Sequence, residues 1–189
     1  MSSIERILIG GSAGSVEQVM QMFSQPFTRS LPPVVYACHM TQSEGVNRVR
    51  DALNSCLPIP VLVATPGVEL AREHFYVSPA AYHLLLEDEG RVFRFFDDEP
   101  YLASKPSINL FFMSCCGHEA RSTLAILLSG ANTDGADGLH ALNRSGACCA
   151  VADPEHCQFD IMPRTAASLL ENIQIIPHCR EHQWLEKVL

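Results

Sequence analysis

The sequence predicts an α/β fold: a doubly wound, mostly parallel sheet with helices on both faces and a small antiparallel hairpin insertion. Short apolar runs alternate with helical stripes in the order strand, helix, strand, helix, strand over residues 6–63, and the alternation resumes over residues 124–176. This alternation is typical of parallel strands joined by right-handed crossovers. Residues 75–95 instead hold three short strand-like segments, with an Asp-Glu-Gly turn at 88–90, which indicates the antiparallel insertion.

Length and composition favour one globular domain over residues 1–189. The chain is 47% hydrophobic and 18% charged, and a chain of this size buries about 70% of its unfolded surface. A net charge of −8 with two lysines argues against a nucleic-acid-binding surface, which needs clustered basic side chains. The start of the chain has no secretory signal pattern, and no apolar run approaches the roughly 18 residues of a membrane span. We therefore expect a cytoplasmic protein that is not inserted in a membrane.

The eight cysteines are expected to be reduced thiols in the core. Two pairs are adjacent, at 115–116 and 148–149, and the sequence contains no C-x-x-C. Adjacent cysteines do not bridge readily, and zinc ribbons need a two-residue gap between ligands. The histidines also lack spacing typical of metal ligands. The sequence thus predicts no metal and no cofactor.

The first strand and helix enclose a glycine-rich turn. Residues 6–9 form an apolar run, and a helical stripe begins at Val16, with Ser15 and Gln18 spaced as a capping box. Residues 10–14 read GGSAG, which matches the G-x-S-x-G turn that exposes a nucleophilic serine, here Ser12. Glycine-rich turns of this kind also bind phosphates, so both interpretations stay open for the turn alone.

Three polar residues follow predicted strands and can meet at one edge of the sheet. Ser12 follows the first strand, His39 follows the strand at 34–38, and Asp134 lies in the loop after the strand at 124–128. Ligands bind beyond the carboxyl ends of parallel strands, where these side chains would form a nucleophile, a base and an acid. The chain order Ser, His, Asp differs from that of α/β-hydrolases. Asp134 is also a candidate N-cap for the helix that follows it.

These segments resemble the catalytic domain of the chemotaxis protein-glutamate methylesterase (CheB) family. The resemblance is carried by the turn at 10–14, the strand ending in His39-Met40, and the loop at 128–136 with its Asp-Gly-Ala. Residues 105–109 (KPSIN) are similar to the family's arginine-proline-serine-valine-aspartate, and residues 161–164 (IMPR) to its glycine-methionine-proline-arginine. The match runs from Ile7 to about Ile176 in the right order.

The resemblance implies an enzyme that hydrolyses glutamate γ-methyl esters on the cytoplasmic domains of methyl-accepting chemoreceptors, and that also deamidates glutamines. It assigns the acyl group to Ser12, the base to His39 and the orienting carboxylate to Asp134. Backbone N–H groups of Ala13 and Ala131 are the oxyanion-hole candidates. Residues 1–189 would be one catalytic domain without the family's usual receiver domain, and the sequence carries no signal of oligomeric state.

The chain departs from the family pattern around each of these residues, which keeps other functions open. Ala13 stands where threonine is usual, Ala131 where methionine is common, and Cys38 and Thr41 replace the glutamine and proline around the histidine. These changes favour, as an alternative, a catalytically weak docking or signalling module of the same fold. A nucleotide-binding protein is the third hypothesis. It is disfavoured because the turn lacks the third glycine and because His39 occupies the position of the acidic residue.

Overall fold

The computed structural model describes residues 3–40, 42–87, 92–96, 105–171 and 173–189. Its nine strands and six α-helices follow one another along the chain. They are β1 (Arg6–Gly11), α1 (Ser15–Phe23), β2 (Val34–Cys38), α2 (Ser43–Cys56), β3 (Val61–Val63), β4 (Phe75–Val77), β5 (His83–Glu87), β6 (Val92–Phe96), α3 (Ile108–Met113), β7 (Thr123–Leu127), α4 (Ala136–Arg144), β8 (Cys148–Ala152), α5 (Ile161–Leu169), β9 (Gln174–Ile176) and α6 (Glu181–Val188).

Seven strands form one parallel sheet in the order β3-β4-β2-β1-β7-β8-β9. Strand β1 lies at the centre, with Gly11 opposite Cys38 of β2 and Gly10 opposite Leu127 of β7. All the paired strands of this sheet run in the same direction, so their carboxyl ends share one edge. The doubly wound, mostly parallel α/β fold predicted from the sequence is confirmed.

Alternating side chains of the central strands supply two hydrophobic cores, one on each face of the sheet. Leu8 and Val35 pack on the face covered by α3, α4 and α5. Ile7, Ile9 and Tyr36 pack on the face covered by α1, α2 and α6. Because successive residues of a strand point to opposite faces, a strand segment buried on both faces is continuously apolar, as residues 7–9 of β1 are.

The antiparallel insertion is smaller than predicted. Strands β5 and β6 pair in antiparallel fashion, with His83 opposite Phe96, whereas the predicted turn at 88–90 lies outside the described residues. The first of the three predicted segments, β4, is not part of the insertion: it pairs in parallel with β2 and β3 in the main sheet. The prediction was wrong here because the crossover from β3 to β4 runs through a loop, so no helical stripe marks a parallel connection.

Two predicted helix caps are also wrong. The N-cap of α1 is Gly14, with φ +80°, and neither Ser15 nor Gln18 forms the capping box. The Ser15 hydroxyl bonds instead to the Ser12 carbonyl and the Tyr36 hydroxyl, and Gln18 Oε1 accepts from the Ser129 N–H. Polar groups buried in the fold need such partners. The N-cap of α4 is Gly135, with φ +92°, so Asp134 does not cap the helix that follows it.

The helices of the described ranges are all too short or too polar to cross a bilayer.

Candidate active site

Ser12 and His39 lie side by side at the carboxyl edge of the sheet. Each follows the last paired residues of its strand, Gly11 of β1 and Cys38 of β2. The backbone N–H of His39 donates to the carbonyl of Gly11 at 3.4 Å, which continues the ladder one step beyond the strands. Neighbouring strands are about 4.8 Å apart, so the two backbones are held at that separation.

Asp134 reaches this edge from the loop after β7, and its carboxylate is fully buried. One oxygen, Oδ2, accepts from His39 Nε2 at 2.9 Å and from the Ile108 N–H at 2.8 Å. The other, Oδ1, accepts from the Asn109 N–H at 3.0 Å and from the Ser107 hydroxyl at 3.2 Å. Each oxygen therefore has two donors, and a buried carboxylate with four donors is well compensated for its lost hydration.

Two of these donors come from the first turn of α3. The N–H groups at a helix N-terminus have no intrahelical partner and carry a partial positive charge. Ser107 is the N-cap of α3: its hydroxyl oxygen accepts from Leu110 N–H while its proton goes to Asp134. The Ser107 N–H in turn donates to Nδ1 of the buried His83, at 3.0 Å. The start of α3 is thus a preformed cradle for the carboxylate.

The contact with Asp134 decides which ring nitrogen of His39 carries the proton. The His39 side chain is 13% exposed, and its Nε2 faces the carboxylate. A carboxylate only accepts hydrogen bonds, so Nε2 carries the proton. Nδ1 is then the nitrogen with a free lone pair. In the serine-protease triad the aspartate faces Nδ1, so the two ring nitrogens exchange places here.

The turn that carries Ser12 is fixed by backbone and hydroxyl contacts. The carbonyl of Ser12 accepts from the Ser15 N–H at 3.1 Å, and Gly14 has φ +80° and ψ −2°, the third-position geometry of a type II turn. The Ser12 N–H donates to the carbonyl of Ser129, and the Ser129 hydroxyl donates to the carbonyl of Ala13 at 2.8 Å. The turn therefore presents one conformation at the end of β1.

The oxyanion candidates differ from Ser12 in having free donors. The Ser12 N–H is used within the fold, whereas the N–H groups of Ala13 and Ala131 form no hydrogen bond to any described residue. Both alanines are exposed, so their N–H groups are available to a ligand. The N-terminus of α1 lies directly behind the turn, and its dipole adds positive potential there.

The family of this chain follows from its similarity to known proteins. The family model for the CheB methylesterase matches residues 7–180. The chain belongs to the CheB methylesterase family. This confirms the family identified from the motifs at 10–14, 35–40 and 128–136.

Two curated relatives agree with the assignment to the CheB family. A protein-glutamate methylesterase/protein-glutamine glutaminase of Burkholderia lata is 30% identical over 179 residues, which cover 94% of this chain and 49% of that protein. The protein of that name from Salmonella typhimurium is 30% identical over 172 residues, 89% of this chain and 48% of the relative. The chain therefore spans about half the length of these curated relatives.

The crystal structure of the Thermotoga maritima CheB methylesterase catalytic domain has the same fold. Its TM-score with this chain is 0.88, over 99% of this chain and 100% of that domain, at 20% sequence identity. At that identity the likeness establishes the CheB catalytic-domain fold.

Several residues around this CheB-like site were not predicted from sequence. Ser107 and His83 support Asp134, and Asn109 links α3 to α4: its Oδ1 accepts from the N–H groups of Gly135 and Gly138, at 2.9 and 2.8 Å. Asp134, before α4, therefore accepts from N–H groups at the start of α3, and Asn109, in α3, accepts from N–H groups at the start of α4. Gly138 allows the close approach, since a Cβ there would lie 2.6 Å from the carbonyl oxygen of Asn109. The KPSIN motif marked this segment without indicating the roles of its residues.

The eight cysteines of this CheB-family chain are free thiols. Three of them, Cys38, Cys115 and Cys149, are buried; the other five are exposed or half-buried, so the expectation that the cysteines pack in the core is wrong for those five. Burial raises the pKa of Cys115 and Cys149 to about 12. The part of the chain that the structure describes contains no group of three or more histidine, cysteine, aspartate or glutamate side chains placed to hold a metal ion.

Proposed function

We propose that this chain is a serine hydrolase that demethylates glutamate γ-methyl esters, and deamidates glutamines, on the cytoplasmic helices of chemoreceptors. The observation that carries the proposal is the hydrogen bond between His39 Nε2 and the Asp134 carboxylate, which accepts four hydrogen bonds in all. His39 follows β2, the strand next to the one that Ser12 follows. Membership of the CheB family supports the choice of substrate. The proposed site of action is the cytoplasm, because the substrate helices lie there, and residues 1–189 are proposed to be one catalytic domain.

The first half of the reaction forms an ester with Ser12. Nδ1 of His39 takes the Ser12 hydroxyl proton as Oγ bonds to the ester carbonyl carbon. The oxygen of the tetrahedral intermediate becomes negative and accepts from the N–H groups of Ala13 and Ala131. Asp134 stabilises the imidazolium through Nε2–H. The bond to the methoxy oxygen then breaks, and His39 returns its proton to give methanol.

The second half releases the glutamate side chain. A water molecule gives a proton to Nδ1 of His39 and bonds to the acyl carbon, and the bond to Ser12 Oγ breaks as that oxygen regains the proton. With a glutamine side chain the leaving group of the first half is ammonia instead of methanol. The reaction consumes one water molecule, and His39 returns each proton that it takes up, so the proposed chemistry calls for no cofactor.

The proposal is tested by methanol release from methylated chemoreceptor cytoplasmic domains. We expect release by the parent protein, and a loss of about 10³-fold or more in Ser12→Ala and His39→Ala. Ser24→Ala and His118→Ala, at exposed positions, are the matched controls and should keep the parent rate.

The same experiment separates the proposal from its alternative. A folded parent protein that binds the receptor domains and releases no methanol would contradict the esterase and favour the docking module. Release that persists in Ser12→Ala would remove Ser12 as the nucleophile.

A further inference from the structure

A buried chain of hydrogen bonds lies behind the turn that carries Ser12. The hydroxyl of Tyr36 on β2 is 2.5 Å from the hydroxyl of Ser15, the first residue of α1. The Ser15 hydroxyl is 2.5 Å from the carbonyl oxygen of Ser12. Tyr36 and Ser15 are both fully buried. The proposed mechanism uses neither side chain.

The chemistry of the groups fixes the direction of this chain. A carbonyl oxygen only accepts, so Ser15 must give its one hydroxyl proton to Ser12. The contact between the two hydroxyls then needs Tyr36 as the donor. Burial raises the pKa of Tyr36 well above its usual value, so the phenol keeps that proton at working pH. Protons therefore run from Tyr36 to Ser15 to the Ser12 carbonyl.

The surrounding packing leaves this chain little freedom. The Tyr36 ring packs edge-on against Phe75, with centroids 6.2 Å apart. Ser15 fits over Gly11, where an added Cβ would lie 2.6 Å from the Ser15 hydroxyl oxygen. These contacts thereby fix the position of the Ser12 carbonyl relative to β2, the strand that His39 follows.

Holding the Ser12 carbonyl also sets the direction of the Ala13 N–H. The two groups belong to one planar trans peptide, in which the C=O and the N–H point in opposite directions. A carbonyl held from the protein interior therefore turns the N–H away from that interior, on the side where Ala13 is exposed. Hydrogen bonds to the carbonyl also polarise the peptide and make its N–H a better donor.

We propose that Tyr36 and Ser15 are positioning residues that orient the Ser12–Ala13 peptide as part of the oxyanion hole. This inference rests on the proposed function, in which Ser12 attacks a carbonyl. Negative charge develops on the oxyanion only in the transition state, so loss of the chain lowers kcat and leaves KM unchanged.

The test is the rate at which Ser12 reacts with a fluorophosphonate probe, alongside methanol release. In that reaction Ser12 Oγ displaces fluoride from phosphorus, its proton goes to His39, and the tetrahedral adduct uses the same oxyanion donors. We expect Tyr36→Phe and Ser15→Ala each to slow labelling by 10- to 100-fold. The double variant should fall no more than about threefold below either single variant, because both remove one chain.

Tyr76→Phe is the matched control. Tyr76 is also a buried tyrosine of the sheet, but it packs on the opposite face and its hydroxyl accepts from the Ala71 N–H. This variant should label within twofold of the parent, even where its unfolding temperature falls as far as that of Tyr36→Phe. The pH of half-maximal labelling should be unchanged in all variants, since the base is intact. If Tyr36→Phe does not fold, Ser15→Ala, which removes the middle hydroxyl of the chain, decides the test.

The outcomes separate the positioning role of Tyr36 and Ser15 from the proposed function. Labelling of Tyr36→Phe within twofold of the parent, or an equal loss in Tyr76→Phe, overturns the positioning role. A parent protein that labels at Ser12 but releases no methanol contradicts the proposed substrate and leaves the positioning role standing. A parent protein that does not label at Ser12 overturns both.

Discussion

The two halves of the candidate site are held in place by different means. On the acid side, the Asp134 carboxylate has four donors, two on each oxygen, and two of them are N–H groups at the start of a helix. On the side of the proposed nucleophile, the Ser12 turn is held by neutral backbone and hydroxyl contacts, and its residue Ala13 is exposed. Charge-assisted bonds are about twice as strong as neutral ones. The Asp134 carboxylate is thus fixed redundantly, whereas the Ser12 turn depends on a few neutral hydrogen bonds.

The largest expected effect is that of Asp134→Asn. An amide places an NH₂ group among donors, and it no longer stabilises a protonated His39. We expect methanol release to fall by about 10³- to 10⁴-fold. The free energy of unfolding should fall by about 1–3 kcal/mol, because one buried acceptor is lost. Asp137→Asn, at an exposed position in the first turn of α4, is the control and should match the parent. A rate for Asp134→Asn above a tenth of the parent's would remove Asp134 from the mechanism.

Alkaline pH should lower the stability of the protein through its buried thiols more than through its exposed ones. Cys115 and Cys149 have pKa values of about 12 in the fold against an ordinary value of 9.0, because burial disfavours the thiolate. Above pH 9 the unfolded chain therefore loses protons that the folded chain keeps. The stabilisation is complete below pH 9 and is lost as the pH rises towards 12, by up to about 1.4 kcal/mol per pH unit for each thiol.

Urea unfolding at pH 8, 9, 10 and 10.5 measures this effect. Cys149→Ala should flatten the decline of stability between pH 9 and 10.5, and Cys56→Ala, at an exposed position, should leave it unchanged. Equal slopes for the parent and Cys149→Ala would show that this thiol ionises as easily in the folded protein as in the unfolded chain.

The smallest expected effect is that of Ser107→Ala, which tests the redundancy of the acid side directly. The change removes one of four donors to Asp134 and the N-cap of α3. We expect the free energy of unfolding to fall by about 1 kcal/mol and methanol release to fall by less than tenfold, since three donors remain.

The matched control for Ser107→Ala lies at the other end of the same helix. Ser114 caps α3 at its C-terminus, donating to the Phe111 carbonyl and accepting from the Leu86 N–H. Ser114→Ala should lower stability to a similar extent without changing the rate. A loss of 10²-fold in Ser107→Ala would mean that the Asp134 carboxylate depends on that one donor.

What the sequence predicted follows from local patterns and from the rules of parallel sheets. The strands at 6–9, 34–38 and 124–128 were identified by their apolar runs, and parallel strands end at one edge. Ser12, His39 and Asp134 could therefore be predicted to meet before any contact was known. Their catalytic roles stay predictions.

What the sequence did not predict depends on contacts between distant segments. The capping-box pattern at Ser15 is a local signal, and the buried hydroxyl of Tyr36, 21 residues away, overrides it. Asp134 resembled a cap for α4 because α4 follows it, but it bonds to the start of α3, some 25 residues earlier. Strand β4 was misplaced because a loop crossover has no periodic pattern. In each case a partner in space decides the outcome.

The central claim is that the acid side fixes His39 with its proton on Nε2 and leaves Nδ1 to activate Ser12. Long-range ¹H–¹⁵N NMR of the histidine rings, with His39 assigned by the signal missing from His39→Gln, measures the tautomer directly. We expect neutral His39 to carry its proton on Nε2, and we expect this proton resonance to move in Asp134→Asn and to stay in place in Asp137→Asn. A proton on Nδ1, with Nε2 bare, would contradict it.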